Sequence, residues 1–490
     1  MKNNKTLVIG AGFGGIAAAL RLKAKDHDVT LIEKHNDLGG RARVFKKNGF
    51  TFDAGPTVIT APFLFDELFN LFSKKRENYV KFKRLDPMYN FYFNQNKKSF
   101  NYFDKVEDSL KEIAKFDAKD VEGYKNLLKM SERIYKVGFD KLSFTPFHNF
   151  FFMIRQIPSL IKLKSYLTVF QLVSKYIKNE QIKQALSIQP LLLGGNPLET
   201  TSIYNLIHYL ERKWGVHYAM GGTGAIIRAF EKLMNEEKIK INKNTDVKEI
   251  IFKNNKAIGV KAQNGRELFG EKIILNCDPA YAYKHIIKKK KKWSDKKIDK
   301  LDFSMGLFVI YFGTKKKYNK IAHHTIWMGK RYEGLLKDIF NRKILADDFS
   351  LYLHRPTATD KSMAPKNCDS FYVLSPVPNL KSGIDWNVTG LNYRKKILKA
   401  LEKTILPNLN KNLTVCFHMS PEDFKKDYHS LYGSGFSISP IFRQSAWFRF
   451  HNQSESFENL YFVGAGSHPG AGVPGVISSA KVLENILKYE

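Results

Sequence analysis

The chain of 490 residues is longer than a single hydrophobic core organises, so two or three domains are expected. Its composition, with 43% hydrophobic and 26% charged residues, is that of a globular protein and excludes a fibrous or disordered chain. The formal net charge of +33 favours an anionic partner, either a nucleic acid or an anionic lipid surface, unless it only reflects a bias towards lysine.

The sequence carries no aromatic–basic recognition module and no zinc-ligand spacing, so we expect no nucleic acid and no metal. Its three cysteines, Cys277, Cys368 and Cys416, are odd in number and far apart, which favours a reduced, cytoplasmic protein. The first apolar run, residues 7–9, leads directly into glycines and does not resemble a signal peptide. No uncharged apolar run reaches the ~18 residues that span a bilayer.

The N-terminal segment predicts a strand, a glycine-rich turn, a helix and a second strand, in the runs "KTLVIG", "GGIAAALRLKAK" and "DVTLIEK". Gly10, Gly12 and Gly15 have the G-x-G-x-x-G spacing, which lets a pyrophosphate approach the backbone at a helix N-terminus. Glu33, at the end of the second strand, is placed to bind ribose hydroxyls. Together these features predict a dinucleotide site.

A second glycine pair follows in "KHNDLGGRAR", where Gly39 and Gly40 precede Arg41. This continuation resembles the two-dinucleotide-binding flavoproteins of the amine-oxidase and carotenoid-desaturase type. In them the second pair bends toward the pyrophosphate and an arginine lies beside the flavin. The resemblance implies FAD rather than NAD; the alternative for Arg41 and Arg43 is a solvated basic turn.

The middle of the chain predicts mixed structure. Residues 48–60 favour a strand, a turn and a second strand, and residues 60–215 are expected to be mainly helical. Residues 239–277 predict a small antiparallel meander, because turn signals separate short apolar runs. Residues 303–312 predict a strongly apolar strand of a second sheet.

Residues 144–173 mix phenylalanine, leucine and isoleucine with basic residues such as Arg155 and Lys162. This composition is typical of a pair of interfacial helices with the lysines at headgroup level, and we expect a break between them at Pro158. The alternative is a pair of core helices that line an apolar cavity, and both can hold. The lysine run 288–293 predicts a solvated loop, with a membrane-surface contact as the alternative.

The C-terminal segment repeats the strand–glycine–helix pattern. "ENLYFVGAG" predicts a buried strand from Leu460 to Val463, and "PGVISSAKVLENIL" predicts a helix with Pro474 in its first turn. In the flavoproteins named above this last unit returns to the first domain. Its helix N-terminus points at the flavin, where N–H groups stabilise negative charge.

Further motifs carry a closer resemblance: "FDAGPTVI", "GGNPLETTSIYNLIHYLERKWGVHYAMGGTGA", "LYLHRPTATDKSMAPKNCDSFYVLSPVPNL" and "GSHPGAGVPGV". With them the whole chain resembles the bacterial-type phytoene desaturases, whose close relatives are carotenoid isomerases and other carotene desaturases. The C-terminal signature is more specific to that group than the N-terminal glycines.

The resemblance implies an α/β fold in three parts. A Rossmann-like FAD-binding domain would be built from residues 1–85, 221–285 and 455–490. A helical substrate and membrane-contact domain would cover residues 86–220, and a substrate domain with a mixed sheet would cover residues 286–454.

It also implies a set of FAD-binding residues drawn from both ends of the chain. They are Gly10, Gly12, Gly14, Gly15, Glu33, Lys34, Gly39, Gly40, Arg41, Asp53, Gly55, Val247, Gly464, Ala465, Gly466, Pro474, Gly475 and Val476.

The implied reaction is the desaturation of phytoene to more conjugated carotenes such as neurosporene or lycopene. An allylic hydride would move to the flavin and the neighbouring carbon would lose a proton, so the protein mainly positions one bond in a water-free channel. His468 is a weak candidate for the base, and hydrogen bonding within its own loop is the favoured interpretation. The sequence identifies no other catalytic residue.

Several alternatives stay open. An amine oxidase and a non-enzymatic prenyl-protein carrier share the architecture. The substrate can instead be diapophytoene or a hydroxylated or methoxylated carotene, or the enzyme can be a carotenoid isomerase. The electron acceptor is expected to be oxygen or a quinone, and the protein is expected on the inner face of the cell membrane as a peripheral protein.

Overall fold

The computed structural model describes residues 4–289 and 292–488. Within them the strands are β1 (Lys5–Ile9), β2 (Asp28–Ile32), β3 (Val44–Lys47), β4 (Phe50–Asp53), β5 (Phe82–Arg84), β6 (Tyr89–Phe93), β7 (Lys98–Tyr102), β8 (His217–Ala219), β9 (Lys240–Asn242), β10 (Val247–Lys253), β11 (Lys256–Ala262), β12 (Glu267–Phe269), β13 (Lys272–Leu275), β14 (Gly306–Thr314), β15 (His324–Met328), β16 (Leu351–His354), β17 (Asp369–Val377), β18 (Leu413–Met419) and β19 (Leu460–Phe462).

The helices in the same described ranges are α1 (Phe13–Lys23), α2 (Pro62–Asn70), α3 (Val106–Ala114), α4 (Asp120–Gly138), α5 (Phe150–Lys162), α6 (Val169–Tyr176), α7 (Glu180–Ala185), α8 (Leu206–Trp214), α9 (Gly222–Glu236), α10 (Pro279–Tyr281), α11 (Asp295–Asp299), α12 (Tyr332–Lys337), α13 (Trp386–Thr404), α14 (Leu409–Asn412), α15 (Pro421–Tyr428) and α16 (Val473–Leu487).

The two ends of the chain share one five-stranded parallel sheet, in the order β19-β13-β1-β2-β9. Strand β13 lies between β1 and β19 and is parallel to both. The small side chains of α1, Ala17, Ala18 and Ala19, are fully buried, which lets α1 pack closely against the sheet and against α16. The prediction that the last strand–glycine–helix unit returns to the first domain is confirmed.

A seven-stranded sheet, in the order β18-β14-β17-β16-β15-β6-β7, forms the second layer of strands. Strand β14, which lies between β18 and β17, is buried at all of its positions because both of its faces are covered. Phe308, Ile310 and Phe312 pack on one face in a cluster that includes α13 residues, whereas Leu307 and Val309 belong to the cluster on the other face. The predicted α/β fold class with a second mixed sheet is confirmed.

Two predicted segments differ from the structure. Strands β6 and β7 lie inside residues 86–220, which the resemblance implied to be a helical domain, yet β6 pairs parallel with β15 in the seven-stranded sheet. The alternating burial of "YNFYF" in β6 is typical of a strand, and the expected helical domain of residues 86–220 did not take this pattern into account. In residues 48–60 only β4 forms a strand, because the chain turns at Gly55-Pro56 and proline donates no ladder hydrogen bond.

Helix α5 runs through Pro158 without interruption, so the break predicted there is wrong. The helix is capped by Asn149, whose side chain accepts hydrogen bonds from the amides of Phe151 and Phe152. Proline removes one backbone hydrogen bond, the one to the carbonyl of Ile154. None of the helices in the described ranges is both long and apolar enough to span a membrane. Residues 290 and 291 of the lysine run lie outside those ranges.

Candidate active site

A cavity of about 880 Å³ begins at the glycine loops of the parallel sheet and extends between the seven-stranded sheet and the helices α5 and α8. Cofactor and ligand cavities usually measure about 300–1,000 Å³. Near the parallel sheet it is lined by glycines and polar side chains. Elsewhere its lining is mainly apolar, with Leu206, Ile207, Leu210, Leu307, Val309, Ile326, Met328, Leu335, Leu336 and Ile339.

The first glycine loop connects β1 to α1 and opens on this cavity. Gly12 is the N-cap of α1, so the first amides of that helix face a partner outside the helix. The second glycine pair lies beside it, since the amide of Gly39 donates to the carbonyl of Ala11 at 2.8 Å. The second glycine pair therefore lies beside the first loop, and its expected approach to a pyrophosphate stays a prediction.

Glu33 follows β2 and is 5% exposed. Its Oε2 accepts a hydrogen bond from the amide of Ala11 at 2.8 Å, and its Oε1 accepts one from the amide of His35 at 3.0 Å. A carboxylate has about four acceptor positions. These two bonds therefore orient Glu33 and leave acceptor positions for hydroxyl groups in the cavity that it lines.

The C-terminal loop connects β19 to α16 and lines the same cavity. Helix α16 begins at Val473 with Pro474 in its first turn. The buried guanidinium of Arg449 holds the loop, because it donates to the carbonyl of Ala465 at 2.7 Å and to that of Ser467 at 3.2 Å. Two helix N-termini, those of α1 and α16, therefore face one cavity.

Asn276, directly after β13, lies where these loops meet. Its Nδ2 donates to the carbonyl of Gly10 at 3.1 Å. A Cβ atom on Gly14 would lie 2.5 Å from its Oδ1, and one on Gly464 would lie 2.7 Å from the same atom. Glycine is thus required at both positions 14 and 464, because the side chain of Asn276 leaves no room for a Cβ atom there. No local motif in the sequence singled Asn276 out.

Most residues expected at the cofactor site line the cavity. They are Gly10, Gly12, Gly14, Glu33, Lys34, Gly39, Gly40, Arg41, Gly55, Val247, Gly464, Ala465, Pro474, Gly475 and Val476.

Three expected residues, Gly15, Asp53 and Gly466, do not line it. A Cβ on Gly15 would lie 2.0 Å from the carbonyl oxygen of Gly10, and one on Gly466 would lie 2.3 Å from Cδ of Pro279, so both glycines serve close packing. Asp53 accepts hydrogen bonds from the amide and hydroxyl of Thr223, at 2.7 and 2.9 Å. These two bonds anchor the start of α9, and the cofactor contact expected of Asp53 stays a prediction.

His468 lines the cavity but is held by its surroundings. Its Nε2 donates to the carbonyl of Leu142 at 3.1 Å, and its ring lies 4.7 Å from that of Phe147. Burial lowers the pKa of His468 to about 4. Because a general base works best with a pKa near the working pH, the hydrogen-bonded interpretation of His468 is the one that the geometry supports.

Glu211 of α8 is a second acid–base group at the cavity, and the sequence analysis missed it. The side chain is fully buried, the hydroxyl of Tyr89 donates to its Oε1 at 2.8 Å, and its Oε2 has no partner among the described residues. Burial raises the pKa of Glu211 to about 7, against the opposing effects of the Tyr89 hydrogen bond and of Arg212. Glu211 is therefore poised to exchange a proton near neutral pH.

Residues 13–482 match the family described as flavin containing amine oxidoreductase. The chain belongs to this family. It is 42% identical to a lycopene-forming phytoene desaturase of Pantoea ananas, with 98% of both chains covered. It is 39% identical to a neurosporene-forming phytoene desaturase of Rhodobacter capsulatus, over 99% of this chain and 94% of that one. An oxidoreductase structure from Methanosarcina mazei shares the fold, with a TM-score of 0.65, 18% identity, and 98% and 100% coverage.

The flavin cofactor of this family fits the residues that surround the cavity. Gly12 and Gly40 lie close together, since a Cβ atom added to Gly40 would lie 3.5 Å from Cα of Gly12. Because neither residue has a side chain, their backbone atoms are exposed at this point. The two helix N-termini favour negative charge. Arg41 lines the cavity with one donor, Nε, that has no partner among the described residues. Anionic groups of a flavin nucleotide would satisfy these donors.

Proposed function

We propose that this protein is an FAD-dependent phytoene desaturase, which introduces double bonds into a C40 carotene during carotenoid biosynthesis. The observation that carries the proposal is the continuous cavity, which joins a dinucleotide loop to a long apolar channel. Full-length similarity to bacterial phytoene desaturases supports the substrate class. The products of such enzymes include neurosporene and lycopene.

The dinucleotide form of the cofactor is supported by the first loop and Glu33. A flavin mononucleotide has neither a pyrophosphate nor an adenosine ribose, so it would leave the N-terminus of α1 and the carboxylate of Glu33 without a ligand. Gly10, Gly12, Gly39 and Gly40 would hold the pyrophosphate, and Glu33 would accept hydrogen bonds from the ribose hydroxyls. Arg41 and the start of α16 would surround the flavin end.

The chemistry needs an electron acceptor, a positioned bond and a proton acceptor. The bound flavin supplies the acceptor for a hydride. The mainly apolar lining of the channel would exclude water and would fix the polyene by apolar contacts, which suits a substrate without polar groups. A charged amine would find little recognition along the apolar lining, which disfavours the amine-oxidase alternative.

We infer that Glu211 accepts the proton lost from the substrate. Glu211 lines the cavity, its Oε2 has no hydrogen-bond partner among the described residues, and the Tyr89 hydroxyl orients the carboxylate. Its pKa of about 7 makes it a stronger base than His468, whose pKa of about 4 leaves a weak one. The titratable groups that interact with Glu211 include Tyr89 on β6, Tyr102 on β7, Tyr124 on α4 and Arg212 on its own helix.

Peripheral membrane attachment is supported by α5. We define the α5 patch as Phe150, Phe151, Ile154, Ile157 and Ile161, which expose 44, 73, 42, 42 and 59% of their surface. Phe150, Ile154 and Ile157 also line the cavity, so α5 contacts both the surroundings of the protein and the substrate channel. Arg155 and Lys162 are exposed on it and suit anionic headgroups. A substrate dissolved in lipid could then enter directly, at the inner face of the cell membrane.

The test is a reconstitution of the purified protein with FAD, liposomes and 15-cis-phytoene, followed by analysis of pigments. Parallel reactions contain oxygen or a quinone as electron acceptor, and a further one contains diapophytoene. Longer conjugated products from phytoene are expected. Three results would overturn the proposal. The protein could convert diapophytoene but not phytoene, or yield a product with the same number of double bonds as phytoene. It could also bind flavin and form no product.

A further inference from the structure

Three histidines that no part of the proposed reaction uses meet in the interior. His323, His324 and His354 each offer one ring nitrogen, and these three atoms lie within 4.8 Å of one another. The side chains are 5, 0 and 0% exposed. The three residues do not line the substrate cavity.

The seven-stranded sheet brings them together. His324 is the first residue of β15 and His354 is the last residue of β16, and they are directly opposite in the antiparallel register. His323 immediately precedes β15, so the alternation of a regular strand does not force its ring to the opposite face. Its ring centroid lies 4.6 Å from that of His324 and 4.9 Å from that of His354.

Each histidine has one nitrogen fixed by a neighbour. Nδ1 of His323 lies 2.6 Å from the hydroxyl of Thr359, and Nδ1 of His324 lies 2.6 Å from the hydroxyl of Tyr352. Nε2 of His354 donates to the carboxylate of Asp53 at 3.2 Å. Such second partners orient the imidazoles of metal ligands and fix their tautomer.

The other nitrogen of each ring, Nε2 of His323, Nε2 of His324 and Nδ1 of His354, is buried and has no hydrogen-bond partner among the described residues. A buried polar atom without a partner costs about 1–3 kcal/mol, so three in one cluster call for a ligand. Neutral imidazoles present lone pairs, which a metal ion accepts.

We propose that His323, His324 and His354 form a binding site for a divalent transition-metal ion of the zinc type. Tetrahedral ligands at 2.0–2.1 Å from zinc are about 3.3 Å apart, so small ring rotations would contract the observed spacing of up to 4.8 Å. The carboxylate of Asp53, bonded to His354, offsets part of the ion's charge. A water molecule or another oxygen would complete four-fold coordination.

The position of the site gives the ion a structural role. Asp53 links His354 to the start of α9 through Thr223, and Tyr352 links His324 to Thr57 at 3.2 Å. The ion would therefore tie the seven-stranded sheet to segments that border the cofactor end of the cavity. This role is separate from the desaturation proposed above.

The test uses the purified full-length protein with its flavin. Its metal content is measured by mass spectrometry, and after chelation Co²⁺ is titrated while its visible d–d absorption is followed. The informative variants are His324→Asn and His354→Gln, because each amide can keep the existing hydrogen bond to Tyr352 or Asp53 and lacks the free nitrogen. His285→Gln, at an exposed histidine, is the matched control.

We expect about one metal ion per chain with the intense absorption of a tetrahedral site, and at least about 10-fold weaker binding in both variants but not in the control. Added Zn²⁺ should raise the melting temperature of the chelated wild type, and this measurement does not depend on any variant. The proposal is overturned if the wild type binds no metal and its melting temperature does not respond. Binding that is equal in wild type and both variants, or a six-coordinate spectrum, would also overturn it.

Discussion

The α5 patch allows a quantitative test of membrane attachment. The perturbation is the double substitution Phe151→Ser with Ile161→Ser, at the two most exposed positions of the patch, 73 and 59%. Neither residue lines the cavity, so the substrate channel keeps its lining. Because no residue of α5 is buried, the folded state loses little packing.

The magnitude follows from the exposed apolar surface. Complete burial of a phenylalanine or isoleucine side chain contributes about 1.5–3 kcal/mol. Together Phe151 and Ile161 expose slightly more than one whole side chain, so their insertion into lipid contributes about 2–4 kcal/mol. Removing both should weaken partitioning into membranes about 30- to 900-fold.

The assay is co-sedimentation with vesicles of phosphatidylcholine, with and without phosphatidylglycerol. The matched control is Val388→Ser with Leu391→Ser on α13, where the exposed fractions are 70 and 45%. Wild type and control should bind alike, and the anionic lipid should strengthen binding at low salt through Arg155 and Lys162. Phytoene presented in detergent should still be converted by the α5 variant.

Two results would refute the reasoning. If the α5 variant sediments like the wild type, the patch does not enter lipid. If the α13 control loses binding to the same extent, exposed apolar area in general, rather than α5, drives attachment.

Three further substitutions test the site and the fold. Gly12→Val places a side chain at the cofactor loop and should weaken flavin retention about 5- to 150-fold, from about 1–3 kcal/mol of overpacking; unchanged visible flavin absorbance would contradict the loop assignment. Glu211→Gln should lower kcat about 100- to 10,000-fold. Since only the deprotonated carboxyl accepts a proton, wild-type kcat should rise with pH and level off above about 7, whereas the same pH profile in the variant would exclude Glu211. Leu483→Ala, in the fully buried face of α16, should lower the free energy of unfolding by about 2–5 kcal/mol in a denaturant titration; a change below about 1 kcal/mol would contradict tight packing of α16 on the sheet.

The parts of the site that sequence predicted are those made by contiguous residues. The first glycine loop, Glu33 and the unit around Pro474 each combine a periodic apolar run with a turn signal, so local rules locate them. The return of β19 to the first domain was available only through the resemblance, and its pairing with β13 only from the structure. Local periodicity does not say which strand of a sheet neighbours another.

The parts that sequence missed depend on long-range contacts. Asp53 has the same local context whether it faces a cofactor or Thr223, and only the packing of α9 decides between them. Glu211 is one charged residue on an amphipathic helix until the fold buries it beside Tyr89. The histidine cluster requires β15 and β16 to be neighbours.

Asn276 shows why two glycine-rich loops at opposite ends of the chain make a single site. Strand β13 is the neighbour of both β1 and β19, so the residue that follows it necessarily stands between the loops that follow those strands. Its amide holds the carbonyl of Gly10, while its Oδ1 occupies the space beside Gly14 and Gly464. Any larger residue at these glycines, or at Asn276 itself, would separate the two helix N-termini. The C-terminal loop therefore lines the same cavity as the first glycine loop, and strand order brings its glycines there.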